Sequence, residues 1–302
     1  MRVVEVGPRD GLQNESSVVP VAAKVALIEE LADAGVSAIE CGSFVSEKWV
    51  PQMADTAAVL ANIRRVPGVV YSALVPNVEG LKAAIQSGVD EIAVFTAASE
   101  TFARRNINCS IDESLRRIRA VASQASARNM PFRGYISCTL GCPFEGEVAI
   151  AAVVRVAKEL HSMGCHEISL GDTIGVGTPA KTQAMIEAVA QAVPLERLAV
   201  HFHDTWGQAL ANILAALQLG VAVADASVAG LGGCPYAPGA TGNLATEDLV
   251  YMLNGMSIDT GIDLQKVAAA GRDICKTLGR RPTSRAAGAI ASALAWACKP
   301  EL

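Results

Sequence analysis

The stretch Leu198-Ala199-Val200-His201-Phe202-His203-Asp204-Thr205-Trp206-Gly207-Gln208 decides the fold. An apolar run leads straight into two histidines one residue apart. In an extended strand, side chains at i and i+2 share a face, roughly 6.5–7 Å apart along the chain. Both imidazoles can then reach a single ion. Directly afterwards, Thr205 and Gln208 form a T-x-x-Q pattern, which predicts a capping box and an immediate helix. A histidine pair at the carboxyl end of a strand, with a helix leading away, describes a catalytic rim. The plainer alternative is a strand that ends in two hydrogen-bonded, partly buried histidines. The chain holds four histidines, His161, His166, His201 and His203. Two of them fall in this tripeptide, which favours metal ligation.

Working outward, short β-rich runs alternate with amphipathic helical stretches. The strands are expected at 2–6, 36–41, 69–74, 90–95, 132–138, 166–170, 198–203 and 223–229. The helices are expected at 20–34, 51–65, 78–87, 112–129, 147–163, 179–192, 206–219 and 245–254. Ser110 to Glu113 reads as a capping box, and Thr178-Pro179 as an N-cap residue before proline at the first helical position. Gly35, Gly88, Gly164 and Gly220 each stand between a helix and a strand, as C-terminal caps do. On helix 20–34, Val21, Val25, Ile28, Leu31 and Ala32 share one face. Eight such units predict a (β/α)8 TIM barrel over about residues 1–255. Residues 263–297 add two helices within a C-terminal extension of about 256–302, all in a single catalytic domain. A doubly wound open sheet is the rival, but no G-x-G-x-x-G follows the first strand.

Of the 302 residues, 51% are hydrophobic, which suits a well-buried interior, and the net charge is −5. That balance, without a basic block, argues against nucleic-acid binding. The longest apolar runs fall short of the ~20 residues of a membrane span. Arg2-Val3-Val4-Glu5-Val6 begins a strand at once and leaves no room for a signal peptide, so a cytoplasmic protein is expected. Cysteines 41, 109, 138, 142, 165, 234, 275 and 298 are scattered and expected to be reduced. Cys138 and Cys142 lack the second close pair that a structural zinc requires.

The polar residues gather at the strand ends, where a barrel places its active site. Strand 1 runs into Gly7-Pro8-Arg9-Asp10-Gly11, strand 2 carries Glu40, and strand 6 leads into Asp172-Thr173. Asp10 could add a carboxylate to the histidine ion and Asn243 an amide oxygen, although Asp10 alone would suit a turn or cap. This donor set favours Mg²⁺ or Mn²⁺, with Zn²⁺, Co²⁺ or Fe²⁺ as alternatives. Arg9 is either a surface ion pair or the stabiliser of a developing oxyanion. Glu40, costly to bury alone, has Arg9 as its obvious partner. Asp172 either holds its loop or takes part in chemistry. The glycine-rich 230–242 stretch reads as a mobile lid, in which Cys234 is either inert or an acid–base thiol.

Together, Val6-Gly7-Pro8-Arg9-Asp10-Gly11-Leu12-Gln13-Asn14-Glu15, His201-Phe202-His203-Asp204-Thr205-Trp206-Gly207-Gln208-Ala209 and Gly230-Leu231-Gly232-Gly233-Cys234-Pro235-Tyr236-Ala237 resemble the 3-hydroxy-3-methylglutaryl-CoA lyase family. Arg-Asp-Gly with His-x-His marks only a wider superfamily of metal-dependent lyases and synthases; the cysteine-containing lid is the specific signal. The resemblance implies cleavage of an acyl-CoA, 3-hydroxy-3-methylglutaryl-CoA, into acetyl-CoA and acetoacetate. It implies metal ligands at Asp10, His201, His203 and Asn243, and catalytic roles for Arg9, Glu40, Cys234 and Asp172. The proton of the substrate hydroxyl would pass to Asp10 or His201. A homo-oligomer, dimer or higher, is expected. Cys298 and Gly279-Arg280-Arg281 depart from the family pattern, and no role is carried onto them. The rivals are a sister synthase joining acetyl-CoA to a 2-oxo acid, a two-histidine, one-carboxylate iron oxygenase, and a non-catalytic binding scaffold.

Overall fold

The computed structural model describes residues 1–233 and 242–297. Eight strands pair in parallel, each with its sequence neighbour: β1 (Arg2–Glu5), β2 (Ala38–Ser43), β3 (Val70–Leu74), β4 (Glu91–Ala97), β5 (Phe132–Ser137), β6 (Glu167–Asp172), β7 (Leu198–Phe202) and β8 (Val223–Ala226). β8 returns to β1, with Arg2 opposite Val223 and Glu5 opposite Ala226, so the sheet closes. The helices α1 (Val21–Asp33), α2 (Thr56–Asn62), α3 (Val78–Gln86), α4 (Glu100–Ile107), α5 (Ile111–Ser126), α6 (Ile150–Ser162), α7 (Pro179–Ala190), α8 (Ala209–Gln218) and α9 (Thr246–Gly255) follow the strands. Two more, α10 (Leu264–Thr277) and α11 (Arg285–Ala297), come after them. This is the predicted (β/α)8 barrel with added C-terminal helices.

Strand alternation sorts the side chains. Phe132, Ile136, Ile168, Leu170, Leu198, Val200, Phe202, Ala224 and Ala226 join the main apolar core. The intervening positions carry Arg133, Tyr135, Glu167, Ser169, His201 and Asp225, all buried. On β5–β8 the barrel interior is therefore polar inside an apolar sleeve, while Val4 and Ala38, and Leu74 and Ala93, form small apolar clusters apart from the main core.

Local signals mostly held. Ser110 accepts a hydrogen bond from the Glu113 N–H (3.1 Å), and the four capping glycines all have positive φ. A side chain at Gly35 would meet the carbonyl of Gly261 at 2.1 Å. On α1, Ile28, Leu31 and Ala32 are buried as expected, together with Leu27 and Lys24.

Thr178 is the N-cap of α7 and Pro179 its first helical residue, as expected, although the Thr178 hydroxyl makes no cap bond. Three expectations are corrected. The Thr205–Gln208 capping box does not form: α8 begins at Ala209, whose N–H goes to Asp204 Oδ1 (3.0 Å). The 51–65 helix is a short turn over Pro51–Met53 followed by α2. Buried Lys24 reaches across this break to Asp55 (2.6 Å) and to the Gln52 carbonyl, while Thr56 donates to Met53 O (2.8 Å). Strand 8 ends at Ala226 and gives way to a turn at Val228–Gly230.

That turn is held by two buried carboxyls. Glu5 accepts the N–H groups of Gly7 and Val228 and the hydroxyl of Thr246, and Glu247 accepts the N–H of Ala229 with both oxygens. Burial raises Glu5 from the ordinary 4.5 to about 7, and burial, with Glu5 nearby, raises Glu247 to about 8. Raised folded values mean that folding takes up protons above pH 4.5. The stability these groups contribute is therefore full below that pH and lost as pH rises through 7 and then 8. Relative to wild type, Glu247→Gln is expected to gain melting temperature between pH 5 and pH 8, by ~2–4 °C per kcal/mol recovered. Thermal melts across that range test it, and a constant difference would refute it.

Candidate active site

Immediately after β1, Gly7–Gly11 forms one wide π-helical turn, closed by the Gly11 N–H on the Val6 carbonyl (3.1 Å). The turn packs closely: a side chain at Gly11 would meet Ser227 Oγ at 2.7 Å. It presents Arg9 and Asp10 side by side at the carboxyl end of the barrel.

Arg9 pairs with Asp10 through Nη1 and with Glu40 Oε2 through Nη2 (3.1 Å). The Tyr135 hydroxyl donates to the same Glu40 oxygen (2.7 Å) and accepts from Arg133 Nη1 (2.8 Å). Arg133 Nη2 in turn reaches Asp225 Oδ1 (2.9 Å) and Glu167 Oε1 (2.8 Å). Asp225 Oδ2 lies 3.1 Å from His201 Nδ1, and His201 Nε2 lies 3.8 Å from Asp10 Oδ2. The side chains thus close a ring: Asp10, Arg9, Glu40, Tyr135, Arg133, Asp225, His201 and back to Asp10. Tyr135 lies between the two guanidinium groups, 5.3 Å from Arg9 and 4.8 Å from Arg133, and meets the His201 ring edge-on.

The expected histidine pair faces one point. The His201 and His203 ring centroids are 5.5 Å apart, and His203 Nε2 is 4.0 Å from Asp10 Oδ2. One ligand atom from each of Asp10, His201 and His203 lies within 4.8 Å of the others. Asn243, bridged to His203 through the backbone, donates its amide to Asp10 Oδ2 (2.8 Å) and to the Leu231 carbonyl (3.2 Å). It thereby links the two chain segments flanking residues 234–241. Close by, Gly242 has φ +80°, and a side chain there would meet the Gly232 carbonyl at 2.5 Å.

The electrostatics suit a cation. Burial pushes Asp10 up, but Arg9, His201 and His203 outweigh it and hold the carboxyl well below its ordinary range. Burial also opposes the charge on Arg9, yet Glu40 and Asp10 keep it firmly protonated. Burial and the neighbouring His201 lower His203 to about 4, so its imidazole is neutral, as a ligand must be. A carboxylate and two imidazoles converging within one ion's reach fit a divalent metal.

Asp172 stands apart from this ring. Its carboxyl accepts the N–H groups of Val176 (3.1 Å) and Gly177 (2.7 Å), and burial raises it to about 6. Cys234 and Cys298 lie outside the described residues. Arg133, Tyr135, Ser169 and Asp225 were missed in the sequence reading. The signal was present for two of them, because Arg133 and Asp225 are charges inside apolar strands, as Glu40 is.

Removing the Tyr135 hydroxyl would leave buried Glu40 and Arg133 each short of a partner. Tyr135→Phe is expected to cost about 1–3 kcal/mol of stability, measured by denaturant unfolding; an unchanged midpoint would contradict the ring's structural importance.

Comparison with known proteins follows the same lines. A family model described as HMGL-like matches residues 1–274. The mitochondrial hydroxymethylglutaryl-CoA lyase of Gallus gallus is 59% identical over 285 residues, covering 94% of this chain and 96% of that protein. The 3-hydroxy-3-isohexenylglutaryl-CoA/hydroxy-methylglutaryl-CoA lyase of Pseudomonas aeruginosa is 60% identical over 290 residues, covering 96% and 97%. The crystal structure of hydroxymethylglutaryl-CoA lyase from Pseudomonas aeruginosa superimposes with a TM-score of 0.95 at 59% identity, covering 97% of each chain.

Proposed function

The chain belongs to the HMGL-like family, and from that premise we propose that it cleaves 3-hydroxy-3-methylglutaryl-CoA to acetyl-CoA and acetoacetate with a divalent cation. The observation that carries the reading is the convergence of Asp10, His201 and His203 beside Arg9. The near full-length identity to proteins named as these lyases supports it.

Asp10, His201 and His203 would hold the cation. Asn243 would complete the set by turning its amide oxygen toward it. Mg²⁺ or Mn²⁺ suits a carboxylate and amide oxygen alongside two imidazoles. When bound, the cation supplies Lewis acidity towards an alcohol oxygen.

The remaining work falls to the side chains. Asp10, ionised, accepts the proton of the tertiary hydroxyl as the carbon–carbon bond opens; His201, with Nδ1 facing Asp225 and Nε2 turned to the cation, has no nitrogen left to take it. The electrons of that bond pass to the thioester as an enolate. Arg9, permanently charged and braced by Glu40, stabilises the enolate oxygen. Cys234 delivers a proton to carbon and completes acetyl-CoA. Asp172 shapes the β6–α7 loop. The six described cysteines are free thiols, which fits a reducing compartment, and the cytoplasm is the proposed location.

Incubation with 3-hydroxy-3-methylglutaryl-CoA is expected to yield acetoacetate. Chelation should abolish turnover, and Mg²⁺ or Mn²⁺ should restore it; chelator-resistant cleavage would defeat the reading. Loss of an oxyanion donor typically costs ~2.7–4 kcal/mol of barrier. Arg9→Met should therefore lower kcat at least about 100-fold with an unchanged circular dichroism spectrum. Full turnover by that variant would remove Arg9 from the mechanism.

A further inference from the structure

We propose that Asp225 is a positioning residue that fixes His201 as its Nδ1–H tautomer and so turns the Nε2 lone pair into the cation site it shares with Asp10. Asp225 lies on β8, 2% exposed, below the strand ends that carry the chemistry. Both of its oxygens are committed. Oδ1 faces Arg133 Nη2 at 2.9 Å, and Oδ2 takes the Ser169 hydroxyl at 2.8 Å and faces His201 Nδ1 at 3.1 Å.

An arginine only donates, so the oxygen it faces must accept. Arg133, always protonated, pairs with Asp225 Oδ1 at 2.9 Å, and a carboxyl paired with a buried guanidinium is a carboxylate. An ionised carboxylate has no proton to give. The proton on the His201–Asp225 contact therefore belongs to Nδ1, and a neutral imidazole protonated there carries its lone pair on Nε2. That is the nitrogen 3.8 Å from Asp10 Oδ2. His203 is different: its buried Nδ1 has no partner among the described residues. Of the two imidazoles, only His201 is oriented by a carboxylate, and Arg133, fastened to Tyr135 and Glu167, anchors that carboxylate in turn.

Replacing Asp225 by asparagine changes little volume but reverses the proton. Arg133 still demands an oxygen, so the amide nitrogen must face Ser169 and His201. It then donates to Nδ1, and the imidazole moves its own hydrogen to Nε2, where it blocks ligation. The proposal rests on the cation site described above, and its readout is independent of turnover.

The test uses the cation-free protein at pH 8, well above the ordinary imidazole value of about 6.5. Two-bond ¹⁵N–¹H correlations distinguish the two tautomers, and with four histidines in the chain the His201 signals can be assigned by substitution. Wild type should show His201 as Nδ1–H, and Asp225→Asn should show it as Nε2–H. Mn²⁺ affinity of the variant, read by water-proton relaxation, should fall about 10–100-fold. An Nε2–H tautomer in the wild type would overturn the proposal whether or not the variant folds. A folded variant with wild-type Mn²⁺ affinity would overturn it equally. A wild type with the Nδ1–H tautomer but no lyase activity would leave this inference standing and remove the functional reading instead.

Discussion

Burial of opposite charges along the barrel axis is the constraint on which the site depends. Glu40, Arg133 and Asp225 are almost completely removed from water, where an unpaired charge would be untenable. Each is tolerable because its neighbour in the ring answers it, from Asp10 through Arg9, Glu40, Tyr135, Arg133 and Asp225 to His201. Breaking one such pair by removing a partner typically costs about 3–5 kcal/mol, because the other charge is left stranded. The network is thus weak evidence for stability but strong evidence for fixed geometry. No member can turn without leaving a neighbour unsatisfied.

That rigidity is what the chemistry needs. The proposed cation ligands come from the turn after β1 and from the carboxyl end of β7, and Asn243 from the far side of residues 234–241. These elements are distant in sequence and meet only because the barrel closes. Arg9 is positioned twice, by Asp10 beside it and by Glu40 across from it. Its charge is therefore held in one place, as the proposed stabilisation of an enolate requires. The carboxyls of Glu5 and Glu247 do comparable work behind the site. They hold both the start of the Arg9–Asp10 turn and the Val228–Gly230 turn through backbone N–H groups.

The residues read correctly share one property: their signal is local. The strand leading to His201 and His203 announces itself by its apolar run, and the capping glycines by their place between helix and strand. Glu40 is conspicuous because a carboxylate in an apolar strand needs a partner, and Arg9 was the partner found. The errors were also informative. Thr205 and Gln208 matched a capping pattern, but Asp204 took the helix N–H first. The expected 51–65 helix breaks where Lys24 from α1 reaches Asp55 and the Gln52 carbonyl, a contact that no window of sequence displays.

Sequence alone determined the eightfold alternation, the gathering of polar residues at the strand ends and the His201–His203 pair, with Asp10 a candidate beside it. Periodicity and residue type carry that information over a few neighbouring positions. Only the tertiary structure decided which buried charges answer one another. Arg133 and Asp225 stand 92 positions apart and Tyr135 and Glu40 95 apart, so their pairing is a consequence of barrel closure. The π-helical turn that sets Arg9 against Glu40 belongs to the same category, since it depends on close backbone packing around Gly11 and Ser227 rather than on any local preference of its five residues.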